Sequence, residues 1–392
     1  MAWRDLLLSG DPWSERLGDA WRGFRARKLA DRNFRRRAAA FPLTRPIARR
    51  NANALFDLTA GFVYSQILKA VVDLDLLGKL IDGPKTAGDL SGALGLKPKA
   101  AEQLLNAAAA LDLVEARRDG AFEIGSLGSA LQSEPGVRAM IAHHDMLYAD
   151  LADPVALLQG EVGGTRLSRF WPYAAGDGGA VGDEEVAPYS ALMHESQSFV
   201  ADDVLDVVSF GDRNSLLDLG GGEGAFAEAA ATRWPHLRIG LIDLAPVAAR
   251  ARARLAAAGF PDSRIDPRGG DFLAGVDGAK ADVVSLIRVL HDHDDETAVK
   301  ILRVARDALT PSGEVLIAEP LAGMRGARRV GHAYFAFYLM AMGSGQPRTS
   351  DEISELLAAA GFGRVNTRLT RGALPIGVIT ARRAGEGPIW RD

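Results

Sequence analysis

Residues 215–231 read SLLDLGGGEGAFAEAAA. Leu216 and Leu217 suit a short buried strand, and Asp218 stands at its C-terminal tip. Gly220, Gly221, Gly222 and Gly224 then lead into an alanine-rich helix. Glycine takes positive φ without a steric penalty and lets a backbone come close to a ligand. A strand–turn–helix of this kind puts the ligand at the carboxyl end of a parallel sheet, over a helix N-terminus. The spacing Gly220-x-Gly222-x-Gly224 is not the dinucleotide pattern G-x-G-x-x-G, and no Lys-Ser or Lys-Thr follows to form a phosphate loop. An acid ahead of the glycines, without phosphate chemistry, suits a ligand carrying an amino acid moiety and a positive charge.

Downstream, strands are expected at 238–242, 265–267, 283–286, 314–318, 364–369 and 375–380, alternating with helices at 225–234, 246–258, 295–308 and 351–360. The alternation predicts an α/β, doubly wound, Rossmann-like domain with a mainly parallel sheet. Four polar points fall at or just past strand ends, where such a sheet builds its site. Asp218 precedes the glycines. Asp243 sits where a carboxylate would grip a ribose diol, and Asp271-Phe272 offers an acceptor beside an aromatic face for adenine. After the fourth strand comes Arg288-Val289-Leu290-His291-Asp292-His293-Asp294-Asp295. Each alone reads as an ordinary cap or surface acid; together they point to a nucleoside site. The HDHDD run also leaves a metal reading open, through imidazole and carboxylate ligands.

Upstream, 51–81 has a long helical pattern, Thr86 and Lys97-Pro98 start two shorter helices, and 114–124 reads as a hairpin with Asp119-Gly120 in its turn. Helix, short helix, helix, hairpin is a winged-helix order. The helix that would enter a DNA groove has only Lys97 and Lys99 near its start and many alanines. That is a poor footprint for phosphate, so no nucleic acid partner is expected and packing against another helix is. His143, His144, Met146, Tyr148, Phe170, Trp171, Tyr173, Tyr189, Met193 and Phe199 form an aromatic, methionine-containing stretch read as core packing, interrupted by a loop at 176–185.

The chain has 392 residues, 24% charged, and no cysteine. Its length suits two domains with sizeable cores, and a cysteine-free chain has neither disulfides nor a thiolate metal site. With no signal-peptide core at the N-terminus, and Ala333–Met342 as the longest apolar run, a cytoplasmic protein is expected. Between Arg22 and Arg50 stand eleven Lys/Arg against Asp31 alone, so this segment carries about +10 and the rest about −14. Trp3, Trp13 and Trp21 lie in or before it. It reads either as a solvated basic face or as an interfacial segment for anionic lipid.

The motifs LLDLGGGEG, IDLAP, GGDF and VLHDHDDE, with an AEP strand end, resemble the S-adenosylmethionine-dependent O-methyltransferases of the acetylserotonin and plant phenolic type, over roughly residues 54–380. More narrowly, the basic Trp-containing head, SRFWPYA and GQPRT are similar to the purple-bacterial enzymes that methylate the 1-hydroxy group of acyclic carotenoids of demethylspheroidene or hydroxyneurosporene type. The resemblance implies S-adenosyl-L-methionine as cofactor. Asp218, Gly220, Gly222 and Gly224 would lie at its methionine part, Asp243 and Leu244 at the ribose, Asp271 and Phe272 at the adenine, with Arg288 nearby. It implies His291 as general base with Asp292 alongside and Glu319 orienting the ring, and Met193, Tyr338 and Met340 as pocket residues. It also implies a homodimer and a small lipophilic substrate, a carotenoid, with residues 1–50 resting on the inner membrane. Two positions depart from the plant pattern. Ile287 replaces a lysine, leaving Arg288 as its possible substitute, and Gln346-Pro347-Arg348-Thr349 lacks a second histidine-flanking carboxylate. His293 also stands where a tryptophan is usual.

The expected organisation is a basic arm at 1–50, a winged-helix-like dimerisation domain at 51–135 and a helical connector at 136–210. The methyltransferase domain follows at 211–383, with a tail at 384–392. An aromatic or polyketide hydroxyl as acceptor, and a winged-helix ligand-sensing regulator, remain as alternatives.

Overall fold

The computed structural model describes residues 12–170, 197, 200–276, 278–324, 327–372 and 376–385, with the side chains of 12–17 excepted. Trp3, the Trp13 side chain, Trp171, Tyr173, the expected loop at 176–185, Tyr189, Met193 and Phe199 lie outside the described residues.

The C-terminal half is built on seven strands: β4 (Ser215–Leu219), β5 (Arg238–Asp243), β6 (Ile265–Gly269), β7 (Ala281–Ile287), β8 (Leu309–Glu319), β9 (Phe362–Leu369) and β10 (Gly377–Arg383). Their order is β6-β5-β4-β7-β8-β10-β9, with the first five parallel and β10 antiparallel to both its neighbours. The central strands are nearly continuous apolar runs, as strands buried on both faces must be. One face packs on the helices Asp295–Ala308 and Ser350–Ala359 through Ile301, Leu302, Ala305, Ile353 and Leu357. The other packs on residues 200–205 and the helices Ala225–Arg233 and Ala245–Ala257 through Val204, Phe226, Ala230 and Leu255. Chain direction across the sheet reverses between β4 and β7, and such a switch point opens a crevice at the carboxyl ends of the strands.

A separate core fills the N-terminal half. Leu76, Leu77, Leu90, Leu105, Leu113 and Phe122 meet between the helices Arg45–Asp73, Ala87–Ala93 and Pro98–Ala110 and a small antiparallel sheet. That sheet joins β1 (Lys85–Thr86), β3 (Ala121–Ile124) and β2 (Val114–Ala116) in the order β1-β3-β2. Thr86 and Asp89 form a reciprocal capping box, Pro98 takes a first-turn position, and Gly120 at φ +83° turns the hairpin. This is the winged-helix order expected from the sequence.

The basic head forms the helices Pro12–Ala30 and Arg32–Ala40, parted where Asp31 caps the second by accepting from Asn33 N–H. The following helix, Arg45–Asp73, starts ahead of the expected pattern and runs on through residue 50. It is the one helix among the described residues that is long and apolar enough to cross a membrane by length and composition. Leu55, Phe56, Leu58 and Phe62 on it are exposed, as are Trp21, Phe24, Phe34 and Phe41 on the head.

Between the halves, the helices Pro135–Asp150, Pro154–Leu158 and Arg166–Phe170 pack on the helix Ala336–Met342 through Leu147, Leu157, Leu167 and Leu339. Buried Asp150 fixes this seam by accepting from the Arg166 and Leu167 N–H groups at 2.8 and 2.9 Å.

Candidate active site

The crevice between the tips of β4 and β7 collects the polar points singled out in the sequence. Asp218 is fully buried there, and its Oδ1 accepts from Ser285 Oγ at 2.6 Å. Its Oδ2 is buried without a hydrogen-bond partner among the described residues. Burial, and the nearby Asp243 carboxylate, push Asp218 up to about 7 against the opposing Ser285 hydrogen bond. Directly above lies the glycine turn, with Gly220, Gly222 and Gly224 at φ +69°, +56° and +83°. A Cβ on Gly221 would sit 2.6 Å from that orphan Oδ2, and one on Gly220 2.9 Å from Val289 Cγ2. Glycine there keeps open a cradle between a carboxylate and an apolar wall.

Asp243 ends β5 almost fully buried. Its Oδ2 accepts from Gly222 N–H at 2.8 Å and its Oδ1 from Leu244 N–H at 2.7 Å, so one carboxylate ties the glycine turn to the next strand end. Asp271 follows β6 and caps a short 3-10 turn by accepting from Leu273 N–H, which sets Phe272 beside the Gly220 turn. Asp218, the glycines, Asp243, Leu244, Asp271 and Phe272 thus converge on one edge.

After β7 the chain makes a strained corner: Arg288 takes φ +58°, a region that non-glycine residues seldom occupy. Its N–H donates to Ala318 O, and its charge bears on Tyr334 and Tyr338. The corner delivers His291, buried in the turn Leu290–Asp292. Nδ1 of His291 pairs with Glu319 Oε2, and Glu319 Oε1 accepts from the Val289 and Leu290 N–H groups at 3.2 and 2.8 Å. Asp292 Oδ1 lies 3.0 Å from Nε2. Burial alone would lower the imidazole pKa, but the Asp292 and Glu319 carboxylates outweigh it and raise it to about 10. Two carboxylates thus flank the ring, Glu319 at Nδ1 and Asp292, next along the chain, at Nε2.

Over His291 stands a wall of aromatic side chains from a π-helical turn, Val330–Phe335, running into Ala336–Met342. Such turns re-aim side chains and recur at functional sites. Phe335 meets the His291 ring edge-on, with centroids 6.1 Å apart. Tyr334 hydroxyl pairs with His144 Nε2 at 2.8 Å and Tyr338 hydroxyl with His143 Nε2 at 3.3 Å. Burial holds His143 down to about 4 and pushes Tyr338 up to about 12, so that pair is neutral at physiological pH; burial likewise lowers His144 and raises Tyr334.

Of the expected pocket residues, only Tyr338 is brought here. Met340 lies on the far side of its helix, 37% exposed, because two residues turn a helix through about 200°. Met193 is outside the described residues. His143, His144, Tyr334 and Phe335 join the site, although the sequence reads the two histidines as core packing and does not single out Tyr334 or Phe335; the tyrosine partners of the histidines stand some 190 positions away. The acids of the HDHDD run have other work. Asp294 caps the helix Asp295–Ala308 and Asp295 holds Arg348, and among the described residues no three His or acidic side chains form a metal-holding group.

Residues 148–363 match the O-methyltransferase domain family, and residues 56–132 its dimerisation domain. The chain is 42% identical over 364 residues to the demethylspheroidene O-methyltransferase of Cereibacter sphaeroides, covering 92% of this chain and 95% of that protein. It is 32% identical over 355 residues to the acetylserotonin O-methyltransferase of Mus musculus, covering 86% and 89%. CalO1, a methyltransferase of calicheamicin biosynthesis solved in its SAH-bound form, superposes with a TM-score of 0.71 at 28% identity, covering 86% of this chain and 98% of that one. Buried histidine, glycine cradle, winged-helix half and sequence relatives agree: the chain belongs to the O-methyltransferase family.

Proposed function

We propose that this chain transfers the methyl group of S-adenosylmethionine to the 1-hydroxy group of an acyclic carotenoid of demethylspheroidene or hydroxyneurosporene type. The observation that carries the reading is the buried His291–Glu319 pair at the carboxyl edge of the sheet, in a chain 42% identical over 364 residues to a demethylspheroidene O-methyltransferase.

The donor fits the residues present. Asp218's orphan oxygen below the glycine cradle suits the cationic amino acid end, with Gly220, Gly222 and Gly224 along it. Asp243 and Leu244 take the ribose, and Asp271 and Phe272 the adenine. Arg288 serves the acceptor side, beside Tyr334 and Tyr338. When bound, S-adenosylmethionine supplies an electrophilic methyl on sulfonium. The protein's part is to align the acceptor oxygen and exclude water. A tertiary alcohol is far too weak an acid for an imidazole to ionise beforehand, so His291 Nε2 takes the proton as the C–O bond forms. To reach Nε2 the hydroxyl displaces Asp292, and Glu319 keeps the tautomer by holding Nδ1. Removing one flanking carboxylate and adding a cation nearby both lower the imidazole pKa, which frees Nε2 to accept.

Two copies act as a homodimer, and the exposed strip Leu55, Phe56, Leu58 and Phe62 is the surface a partner covers. A cytoplasmic enzyme with a membrane-dissolved substrate also needs an approach to the bilayer. Trp21, 64% exposed and stacked on Phe24, together with Phe34, Phe41 and the arginines between them, suits anionic headgroups. Removing residues 1–44 should reduce sedimentation with anionic liposomes far more than turnover of detergent-solubilised acceptor; equal losses in both would count against it.

The deciding experiment incubates the protein with methyl-labelled donor and, separately, demethylspheroidene, a hydroxyneurosporene and a panel of phenols and polyketide hydroxyls. Label in a carotenoid 1-methoxy group is the expected result. Label confined to the aromatic acceptors would overturn the substrate assignment.

A further inference from the structure

The turn that carries His291 is held on its carbonyl side by a single short segment. Leu290 O accepts from Arg348 Nη1 at 2.8 Å, and His291 O from Gln346 N–H at 2.9 Å. Asp292 O accepts from Ser344 Oγ at 2.7 Å, and His293 O from Arg348 Nη2 at 2.7 Å. Four consecutive carbonyls are therefore satisfied from Ser344–Arg348. The approach is so close that Gly345, at φ +81°, has no room for a side chain: a Cβ would stand 2.0 Å from His291 O.

Arg348 is only 4% exposed, and its Nε reaches Asp295 Oδ1 at 2.8 Å. Its fork spans the turn from Leu290 to Asp295, a task that needs several donors fixed in one plane. On the opposite side, Glu319 takes the N–H groups of Val289 and Leu290. The upstream end of the segment is the C-cap of the helix Ala336–Met342, where Gly343 turns at φ +82°. The helix that presents Tyr338 to the acceptor side thus runs directly into the hold on His291.

We propose that Ser344–Arg348 is a clasp that sets the position of the His291 ring, with Arg348 as its positioning residue, and that it links the acceptor-side helix to the proton-accepting nitrogen. The proposal rests on His291 being the proton acceptor. Arg348 touches neither donor nor acceptor and acts through the turn it holds. Without it, Leu290 O keeps only the 3.2 Å bond from His293 N–H, His293 O loses the Arg348 donor, and the ring drifts from its carboxylates.

The test uses the full-length enzyme and compares Arg348→Met, Arg348→Lys and Ser344→Ala. It measures kcat and KM for the acceptor, donor affinity by calorimetry, and the His291 imidazole titration by NMR on histidine-labelled protein. Arg348→Met should lower kcat about 100-fold, the scale of a 1 Å misplacement, with KM and donor affinity changed less than about 3-fold. The His291 titration should move down towards the ordinary histidine range as the ring leaves Asp292. Arg348→Lys should recover about a tenth of wild-type kcat, since one ammonium cannot serve three separated acceptors. Should the Met variant fail to fold, Ser344→Ala removes one hydroxyl from the clasp and should still lower kcat about 3-fold with a smaller downward shift of the titration. Wild-type kcat in the variants that fold, or a lost kcat with the His291 titration unmoved, would overturn the clasp. A His291→Ala enzyme with wild-type turnover would instead remove the proton-acceptor reading, and the titration would still report whether Arg348 holds the ring.

Discussion

Asp292 Oδ1 stands 3.0 Å from Nε2 of His291, the ring nitrogen left over once Glu319 has taken Nδ1. That contact occupies the atom an acceptor hydroxyl needs. With its pKa raised to about 10, the imidazole keeps its proton at neutral pH in the free protein. Its contribution to stability is therefore fully present below pH 6.5 and is lost as pH rises through about 10. Donor binding brings a positive charge into the crevice and should expel this proton. Calorimetry at pH 8 in buffers of different ionisation enthalpy should show up to one proton released per donor bound, and none in His291→Ala. Proton-neutral binding at pH 8, with His291 still protonated once donor product and acceptor are both bound, would mean that His291 cannot accept from the hydroxyl.

Glu319 holds the other face of the ring and two backbone N–H groups as well. Glu319→Gln keeps an oxygen for those N–H groups but offers an amide N–H to Nδ1. The ring then carries its proton on Nε2, the wrong tautomer for a base. Turnover should fall on the order of 10²–10³-fold, by analogy with amide replacement of other histidine-orienting carboxylates, while donor affinity stays near wild type. Glu319→Ala should in addition lose about 2–4 kcal/mol of stability, because two buried donors go unpaired. Thermal melts and steady-state kinetics separate the two effects. A Gln variant with undiminished kcat would show that tautomer control by Glu319 does not matter.

The sheet was legible because its strands are apolar runs between helix patterns, and the polar residues at their tips follow from topology once that alternation is seen. Asp218, Asp243 and Asp271 lie within two residues of a strand end and His291 four past one, so local pattern was enough to find them. His143, His144 and Tyr334 were not legible. Their significance lies in pairs that join helices far apart in sequence, and nothing in AHHDM or HAYFAF distinguishes such a pair from packing. The face Met340 takes was not legible for a related reason: position along the helix was transferable, but the direction of the side chain depends on what packs there. The GQPRT segment was visible as a point of resemblance to the carotenoid enzymes and as a departure from the plant pattern. What it does is set by carbonyls, which carry no side-chain signature.

Asp218 gives a prediction with opposite signs for folding and binding. Its pKa is raised by burial to about 7, so the folded state disfavours its ionisation. The stability its protonated form contributes is fully present below the unfolded value near 3.8 and lost as pH rises through about 7. Asp218→Asn removes that loss. Above pH 8 the variant should be more stable than wild type by something on the order of 2–4 kcal/mol, with the advantage gone by pH 4. Donor affinity should move the other way, falling at least about tenfold at pH 8, because a charge-assisted partner for the cationic end is gone. Denaturant titrations at the two pH values and calorimetry with donor give both numbers. An Asn variant that binds donor as wild type does would take Asp218 out of the donor site.

Gly220 and Gly222 both carry positive φ, yet only one of them should resist a methyl group on packing grounds. At Gly220 a Cβ would press to 2.9 Å on Val289 Cγ2, one residue from the turn of His291. At Gly222 nothing lies within 4 Å, so alanine there meets only the left-handed backbone penalty of about 1–2 kcal/mol. Gly222→Ala should therefore fold with a modest loss of stability, and any loss of donor affinity reports a methyl placed in the space the donor fills. Gly220→Ala should lose more stability and also turnover beyond its loss of donor affinity, since Val289 can yield only by moving the His291 turn. Melting curves and donor titrations on the pair check this, and similar turnover at saturating donor in both would show that the glycine cradle and the histidine turn are mechanically independent.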